Sequence, residues 1–169
     1  NMSRLESGTL KPNLDWCDLN ELIHSVIQNI SGTRGHTVEF KMNENLPLFK
    51  LDAGLMEQVL NNLIHNAIHY TPENGIITIE ALYHPDFCTI TVADSGKGFP
   101  DSELESVFEK FHRLPNTRPG GSGLGLSIVK GFVETHKGII SLRNSEQGGA
   151  VFTIEIPSEA SFIKNLRND

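Results

Sequence analysis

The sequence predicts an α+β fold, a two-layer α/β sandwich with helices on one face of a mixed, mostly antiparallel sheet. Three segments have the signals of helices, and six have the apolar patterns of strands. The strands come in pairs with short turns between them, which favours antiparallel pairing. With 169 residues, 38% of them hydrophobic, the chain is long enough to bury the core of one domain.

Each predicted helix has a start signal in the sequence. Asp18 and Asp52 are N-cap residues for the first two helices, and a glycine-rich segment precedes the third. Apolar residues recur with a period of 3.6 in the first helix and share one face of the second, which Pro72 ends. The helices are predicted at residues 18–30, 52–70 and 123–136.

The six strands are predicted from alternating or continuous apolar residues bounded by turn residues. They are expected at residues 36–42, 48–51, 75–82, 87–94, 138–143 and 150–157. Residues 95–122 connect the fourth strand to the third helix. A connection of this length inside a compact domain is usually functional or disordered. Only a short piece of it, residues 102–110, has a helical pattern.

Three parts are predicted along the chain. Residues 1–12 are interpreted as the end of a helix, stopped by Gly8, and a linker. Residues 13–157 form the folded domain, and the polar residues 158–169 form a loose tail. Because the chain starts at Asn1 without a methionine or a signal peptide, we expect it to be part of a longer protein.

Composition argues against several classes of protein. The net charge of -7 disfavours a nucleic-acid partner, which would need a basic face. No apolar run approaches the ~18 residues of a membrane span, so no membrane contact is expected from this part of the chain. Cys17 and Cys88 fit neither a disulfide framework nor a zinc pattern, and we expect buried thiols in a reducing compartment.

The second predicted helix has an unusual polar face. Its apolar face is ordinary, but the opposite face carries amides and imidazoles: Gln58, Asn62, His65, Asn66 and His69. Asparagine is a poor helix former, so its clustering indicates a site rather than a solvated surface. An amide oxygen can bind a magnesium ion already held by phosphates without adding charge. A merely polar face is the alternative.

Two glycine-containing segments also have the chemistry of a site. Asp94 ends a strand and is followed by Gly96 and Gly98, so that a carboxylate could accept from an exocyclic amine and a flat ligand could approach closely. An ordinary turn is the alternative. Residues 120–126 leave bare amides at a helix N-terminus, where anions bind, unless they are only a hinge.

A third segment lies within the long connection. Phe108 and Phe111 are three residues apart and could pin a lid, although local packing is the alternative. Arg113 and Arg118 follow, and a guanidinium suits the geometry of a phosphate.

The order of these motifs identifies the family that they resemble. Asn62-x-x-x-Asn66, Asp94-x-Gly96-x-Gly98, Phe108-x-x-Phe111-x-Arg113 and Gly121-x-Gly123-x-Gly125 resemble the N, G1, F and G2 boxes of sensor histidine kinases, over about residues 15–157. The resemblance implies the Bergerat fold with a long ATP lid, shared with gyrase, the large heat-shock chaperone and MutL. Residues 2–8 resemble the end of the second helix of the family's dimerisation domain. Residues 10–16 and 131–134 resemble KdpD-type kinases.

The resemblance also implies a role for each matching residue. Asn66 would coordinate magnesium, Tyr70 would stack on adenine, and Asp94 would accept from the adenine amino group. Gly96 and Gly98 would shape the adenine pocket. The residues implied near the phosphates of ATP are Asn62, His69, Arg113, Arg118, Gly121, Gly123, Leu124 and Gly125. Lys110 and Leu126 are further implied nucleotide-binding residues. His69 stands where many members have lysine, so its contact would be weaker and would depend on pH.

Asn62 separates a kinase from an ATPase. Hydrolysing relatives carry a glutamate one turn before the metal asparagine, and an amide cannot replace that base. None of the seven histidines is followed by Asp or Glu, so no phosphoacceptor of the family's type is expected in this chain. The implied function is transfer of the γ-phosphoryl of Mg-ATP to a histidine on a separate dimerisation domain, and then to an aspartate of a response regulator. The implied location is the cytoplasmic portion of a membrane-bound bacterial sensor.

Three alternatives remain open at this point. An ATPase of the gyrase type would need a base at position 62. An anti-sigma-factor serine kinase has the same boxes but no dimerisation helix like the one that residues 2–8 resemble. A degenerate module would bind nucleotide, or only partners, without transfer.

Overall fold

The computed structural model describes residues 2–30, 35–111 and 125–162. The helices in these ranges are α1 (Met2–Glu6), α2 (Leu19–Gln28), α3 (Ala53–Tyr70) and α4 (Gly125–Thr135). The strands are β1 (Asp15–Cys17), β2 (Thr37–Lys41), β3 (Leu48–Leu51), β4 (Ile76–His84), β5 (Phe87–Asp94), β6 (Ile139–Asn144), β7 (Ala150–Pro157) and β8 (Ala160–Ser161).

The main sheet has five strands in the order β2-β4-β5-β7-β6. Its β2–β4 pair is parallel, and the other three pairs are antiparallel. The mixed, mostly antiparallel sheet predicted from the sequence is therefore confirmed.

Helices cover one face of this sheet, as predicted. Successive side chains of a strand point to opposite faces, and in the central strands one set is fully buried while the other stays partly exposed. The buried set is Ile77, Ile79, Ile90, Val92, Phe152 and Ile154. It forms one core with the apolar faces of α2, α3 and α4.

The two predicted N-caps are confirmed. The Asp18 carboxylate accepts from the Glu21 amide at 3.2 Å, and the Asp52 carboxylate accepts from the Leu55 amide at 3.0 Å. Each cap satisfies one of the helix's first amides, which have no partner inside the helix. The predicted apolar face of α3 is buried in full, at Met56, Leu60, Leu63, Ile64 and Ala67.

Two of the three predicted strand pairs, β4–β5 and β6–β7, are confirmed, whereas the predicted pairing of β2 with β3 is wrong. Strands β2 and β3 do not pair with each other, because β3 lies between β1 and β8 in a separate three-stranded sheet. The end of the chain, predicted to be loose after Pro157, contributes β8 to that sheet. Backbone hydrogen bonds hold β8, such as that from the Lys50 amide to the Glu159 carbonyl at 3.1 Å, and a side-chain pattern does not reveal them.

The segment predicted to be helical at residues 102–110 is not one helical piece. It is replaced by two 3-10 turns, Asp101–Glu103 and Ser106–Phe108. Cys17 and Cys88 are buried and do not form a disulfide, and burial raises the pKa of the Cys88 thiol to about 12. No helix in the described ranges has both the length and the apolar character needed to cross a bilayer.

His136 connects the end of α4 to the start of α3. Its Nδ1 donates to the Phe132 carbonyl at 2.9 Å, and its Nε2 accepts from the Asp52 amide at 3.0 Å. Because a backbone amide can only donate, the ring carries its proton on Nδ1. Only 6% of the residue is exposed, so the contact is an internal tie between the two helices.

We expect His136→Leu to lower the free energy of unfolding by about 2 kcal/mol, because the Asp52 amide and the Phe132 carbonyl would lose a buried partner. Urea unfolding followed by circular dichroism measures this change. His24→Leu is the matched control, since His24 is exposed on α2, and it should change stability by no more than about 0.5 kcal/mol. Equal effects of the two substitutions would contradict the assignment of His136 as a tie.

Candidate functional site

Three elements bring the predicted site residues together: the polar face of α3, the end of β5 and the first turn of α4. A Cβ placed on Gly125 would lie 3.9 Å from Asn62 Oδ1, so α4 begins beside the middle of α3. A Cβ placed on Gly96 would lie 3.2 Å from the Tyr70 carbonyl oxygen, so the loop after β5 packs against the end of α3. From Asn62 to Tyr70 the helix rises about 12 Å.

Asn66 lies between these two ends of the site. Its Oδ1 is buried and has no hydrogen-bond partner among the residues that the structure describes. An acceptor left in this state costs about 1–3 kcal/mol, so the observation points to a ligand for that oxygen. A neutral amide oxygen is a ligand that magnesium accepts, and Asn66 therefore fits the metal role that the resemblance implies.

Asp94 is fixed by one of its two oxygens. Its Oδ1 accepts from the Gly96 amide at 2.9 Å and from the Ala150 amide at 3.2 Å. Within the described ranges, Oδ2 makes no hydrogen bond, so it remains able to accept from a ligand. Burial raises the pKa of Asp94 above its ordinary value of 3.8, and the two amides only partly offset that shift.

Tyr70 is held among aromatic rings at the same end of the site. Its ring centroid lies 5.2 Å from that of Phe99 and 4.9 Å from that of His69. Phe99 is buried and also contacts Phe152 in the core, with centroids 6.1 Å apart. The half-buried Tyr70 ring therefore rests on a fixed support.

Lys110 contacts the N-terminal helix in this structure. Its Nζ lies 2.7 Å from Glu6 Oε1 on α1. Both side chains are about half exposed, and such pairs contribute little to stability. A role for Lys110 in nucleotide binding remains a prediction.

Some of the other predicted residues lie within the described ranges, and the rest lie outside them. Phe108 is buried and packs on Phe152 at 6.1 Å between centroids, whereas Phe111 is 69% exposed, so only the first of the two phenylalanines is anchored. Gly125 and Leu126 begin α4. The residues outside the described ranges are Arg113, Arg118, Gly121, Gly123 and Leu124.

Two contributors to this site were missed in the sequence. The Ala150 amide reaches Asp94, and the Asn144 side chain bonds both backbone groups of Phe99. Strands β5 and β6 end at the edge of the sheet where β7 begins. This edge therefore carries Asp94, Asn144 and Ala150. A polar residue at the end of β6 was the available signal, but using it requires the strand order.

Comparison with known proteins places this geometry in a family. Residues 51–160 match the family described as "Histidine kinase-, DNA gyrase B-, and HSP90-like ATPase". Sensor protein KdpD of Escherichia coli (strain K12) is 31% identical over 161 residues, which cover 95% of this chain and 18% of KdpD. The chain thus spans less than a fifth of that relative.

Solved structures agree with that assignment. The catalytic domain of histidine kinase ThkA is 34% identical, with a TM-score of 0.71 over 86% of this chain and 97% of that domain. Another ThkA structure holds the response regulator protein TrrA. Full-length ShkA in complex with AMPPNP gives a TM-score of 0.82 at 25% identity, over 96% of this chain and 35% of ShkA.

The chain belongs to the histidine kinase-, DNA gyrase B- and HSP90-like ATPase family, and within it to the catalytic domains of sensor histidine kinases. The predicted family and fold are thereby confirmed. KdpD, the finer resemblance, is among the relatives.

Two substitutions at Asp94 separate the effect of its charge on stability from the effect of its hydrogen bonds. In Asp94→Asn the amide oxygen can still accept from Gly96 and Ala150, whereas Asp94→Ala removes that acceptor. We expect Asp94→Asn to match or exceed the wild-type free energy of unfolding at pH 7, and Asp94→Ala to lose about 1–2 kcal/mol. Urea unfolding measures both.

The raised pKa also fixes the sign of the pH dependence. Folded Asp94 binds its proton more tightly than unfolded Asp94, so its contribution to the free energy of unfolding falls as pH rises from the ordinary pKa through the raised one. Asp94→Asn should lack this part of the fall when unfolding is measured across that window. A wild type and an Asp94→Asn variant with parallel pH curves would contradict the account.

Proposed function

We propose that this site binds Mg-ATP and that the domain transfers the γ-phosphoryl group to a histidine on a separate dimerisation domain of the same kinase. From that histidine the phosphoryl group passes to an aspartate of a response regulator. The observation that carries the proposal is the buried, unpartnered Oδ1 of Asn66, midway between an adenine-type acceptor and a helix N-terminus. ShkA with bound AMPPNP and ThkA with TrrA support it by similarity.

The adenine end lies at the edge of the sheet. Asp94 Oδ2 accepts from the exocyclic amine, while Oδ1 stays on the Gly96 and Ala150 amides. Tyr70 stacks on the ring, supported by Phe99. Because the carboxylate is held by two backbone amides, it needs little rearrangement when the base arrives.

The phosphate end lies between α3 and α4. Asn66 would hold the magnesium ion, which neutralises phosphate charge when bound. Asn62 and the first amides of α4 at Gly125 and Leu126 face the phosphates, because a helix N-terminus attracts anions. His69 adds a donor in the last turn of α3.

The rest of the nucleotide contacts are proposed from the family pattern. They are Lys110, Arg113, Arg118, Gly121, Gly123 and Leu124. Arginines and helix-end amides stabilise the charge on the transferring group, so catalysis depends on positioning.

Asn62 favours transfer over hydrolysis. It lies one helical turn before Asn66 on the face of α3 that leads to α4, where a base could act on water. A neutral amide does not remove a proton from water at neutral pH. The phosphoryl group is therefore kept for an imidazole acceptor outside this chain.

The proposed division of the chain into domains leaves the acceptor histidine to a separate domain. Residues 1–12 end the dimerisation domain and form the linker, and the catalytic domain comprises residues 13–157 together with β8, which pairs with β3. In the whole protein we place this domain on the cytoplasmic side of a membrane-bound sensor, where response regulators are found.

Calorimetric titration with AMPPNP and magnesium tests the site. Wild type should bind, Asn66→Ala should lose most of the magnesium-dependent gain in affinity, and Asp94→Ala should bind at least tenfold more weakly in the presence or absence of magnesium. An unchanged affinity of Asp94→Ala, or no binding by the wild type, would refute the proposed nucleotide site.

Labelled ATP tests the transfer. With the dimerisation domain of the full-length kinase added in trans, wild type should label its histidine and release little inorganic phosphate. Asn62→Glu should shift the balance toward phosphate release, because it supplies a base near water. Fast multiple-turnover hydrolysis by wild type would favour a gyrase-type ATPase, and binding without any label would favour a degenerate module.

A further inference from the structure

We propose that Asn144 is a positioning residue for nucleotide binding, which fixes the backbone of the Gly98–Phe99 loop against the adenine end of the site. This inference deepens the proposed function and rests on it. Asn144 lies outside the segments that match the family's boxes, at the last position of β6.

The Asn144 side chain pairs with Phe99 as a neighbouring strand would. Its Oδ1 accepts from the Phe99 amide at 2.9 Å, and its Nδ2 donates to the Phe99 carbonyl at 2.8 Å. Nδ2 also lies 3.4 Å from Asp101 Oδ1. One side chain thus satisfies both backbone groups of a buried residue and fixes the loop in two directions.

The loop reaches Asn144 because Gly98 has no side chain. Gly98 has a φ of +77°, and a Cβ on it would lie 2.5 Å from Asn144 Oδ1 and 3.3 Å from the Gly149 carbonyl oxygen. Any other residue would be strained at this φ and would also displace the amide. The glycine of the motif and Asn144 therefore form one contact.

A chain of contacts joins Asn144 to the proposed adenine-binding groups. Phe99, held by its backbone, supports the Tyr70 ring at 5.2 Å between centroids. Asn144 is also the register partner of Ala150, whose amide bonds Asp94 Oδ1 at 3.2 Å. The end of β6 therefore helps to set both the stacking ring and the carboxylate.

The amide has properties that close substitutes lack. Aspartate would place a carboxylate against the Phe99 carbonyl and Asp101, with no proton to donate. Alanine would leave the Phe99 amide and carbonyl without their partner. Glutamine keeps both groups, but on an arm that is one methylene longer.

The test compares Asn144→Ala and Asn144→Asp with wild type by calorimetric titration of Mg-AMPPNP, beside thermal unfolding. Both variants should raise the dissociation constant about tenfold, because the free energy of one ordinary hydrogen bond corresponds to a change of about that size. Their preference for AMPPNP over the corresponding guanine analogue should fall, because the adenine end alone is loosened.

Asn43→Ala is the matched control. Asn43 Oδ1 likewise accepts from a backbone amide, that of Asn45 at 3.0 Å, in the turn between β2 and β3. It should lower thermal stability slightly and change the dissociation constant less than twofold. This control separates loss of a loop hydrogen bond from loss of positioning at the site.

Asn144→Gln keeps the test decisive if Asn144→Ala and Asn144→Asp do not fold. It should weaken binding less than fivefold relative to wild type, but more than Asn43→Ala does. Asn144 variants that lose thermal stability yet bind both analogues as wild type does would overturn the inference. Absence of binding by the wild type in the same titration would instead overturn the proposed function, and the inference with it.

Discussion

One complete face of α3 is buried in the core, and this burial holds the helix in place for every other part of the site. Leu60, Leu63 and Ile64 are fully buried against the sheet and the neighbouring helices, and each such side chain stabilises the fold by about 1.5–3 kcal/mol. The asparagines on the opposite face each lose at most about 0.7 kcal/mol in helix propensity relative to alanine. Core burial therefore outweighs their cost, and the helix can present amides where an ordinary helix would present lysine and glutamate.

With α3 fixed, both ends of the candidate site are fixed by packing. At one end Gly125 starts α4 beside Asn62, and His136 ties the far end of α4 back to the start of α3. At the other end Asp94 is held by amides from its own loop and from β7. The distance between the two ends is set by a helix of fixed rise rather than by flexible loops.

The sequence identified most of the elements and the hairpin pairs β4–β5 and β6–β7, but not the remaining pairings. Periodicity and capping residues identify α2, α3 and the central strands, because their signals lie within a few residues of one another. The three-stranded sheet and the pairing of Asn144 with Phe99 depend on hydrogen bonds between residues far apart in the chain, 45 positions in the second case. Glu6 and Lys110 are 104 positions apart, and no local pattern joins them.

The candidate site divides in the same way. Asn62 and Asn66 could be found because clustered asparagines are unusual on a helix face, and Asp94 because it ends a strand and two glycines follow it. Asn144 and Ala150 could not, because one is an ordinary strand end and the other acts through its backbone amide. Motif reasoning finds the groups that touch a ligand more readily than the groups that hold them in place.

Paramagnetic broadening by Mn²⁺ in the AMPPNP complex, read from side-chain and backbone amide resonances of the ¹⁵N-labelled protein, tests most directly whether a single nucleotide spans both ends. If one nucleotide spans both ends, AMPPNP shifts the Gly96 and Ala150 amides, and Mn²⁺ broadens the Asn66 side-chain amide more strongly than either of them. Stronger broadening at Gly96 than at Asn66, or no shift at the edge of the sheet, would contradict this arrangement.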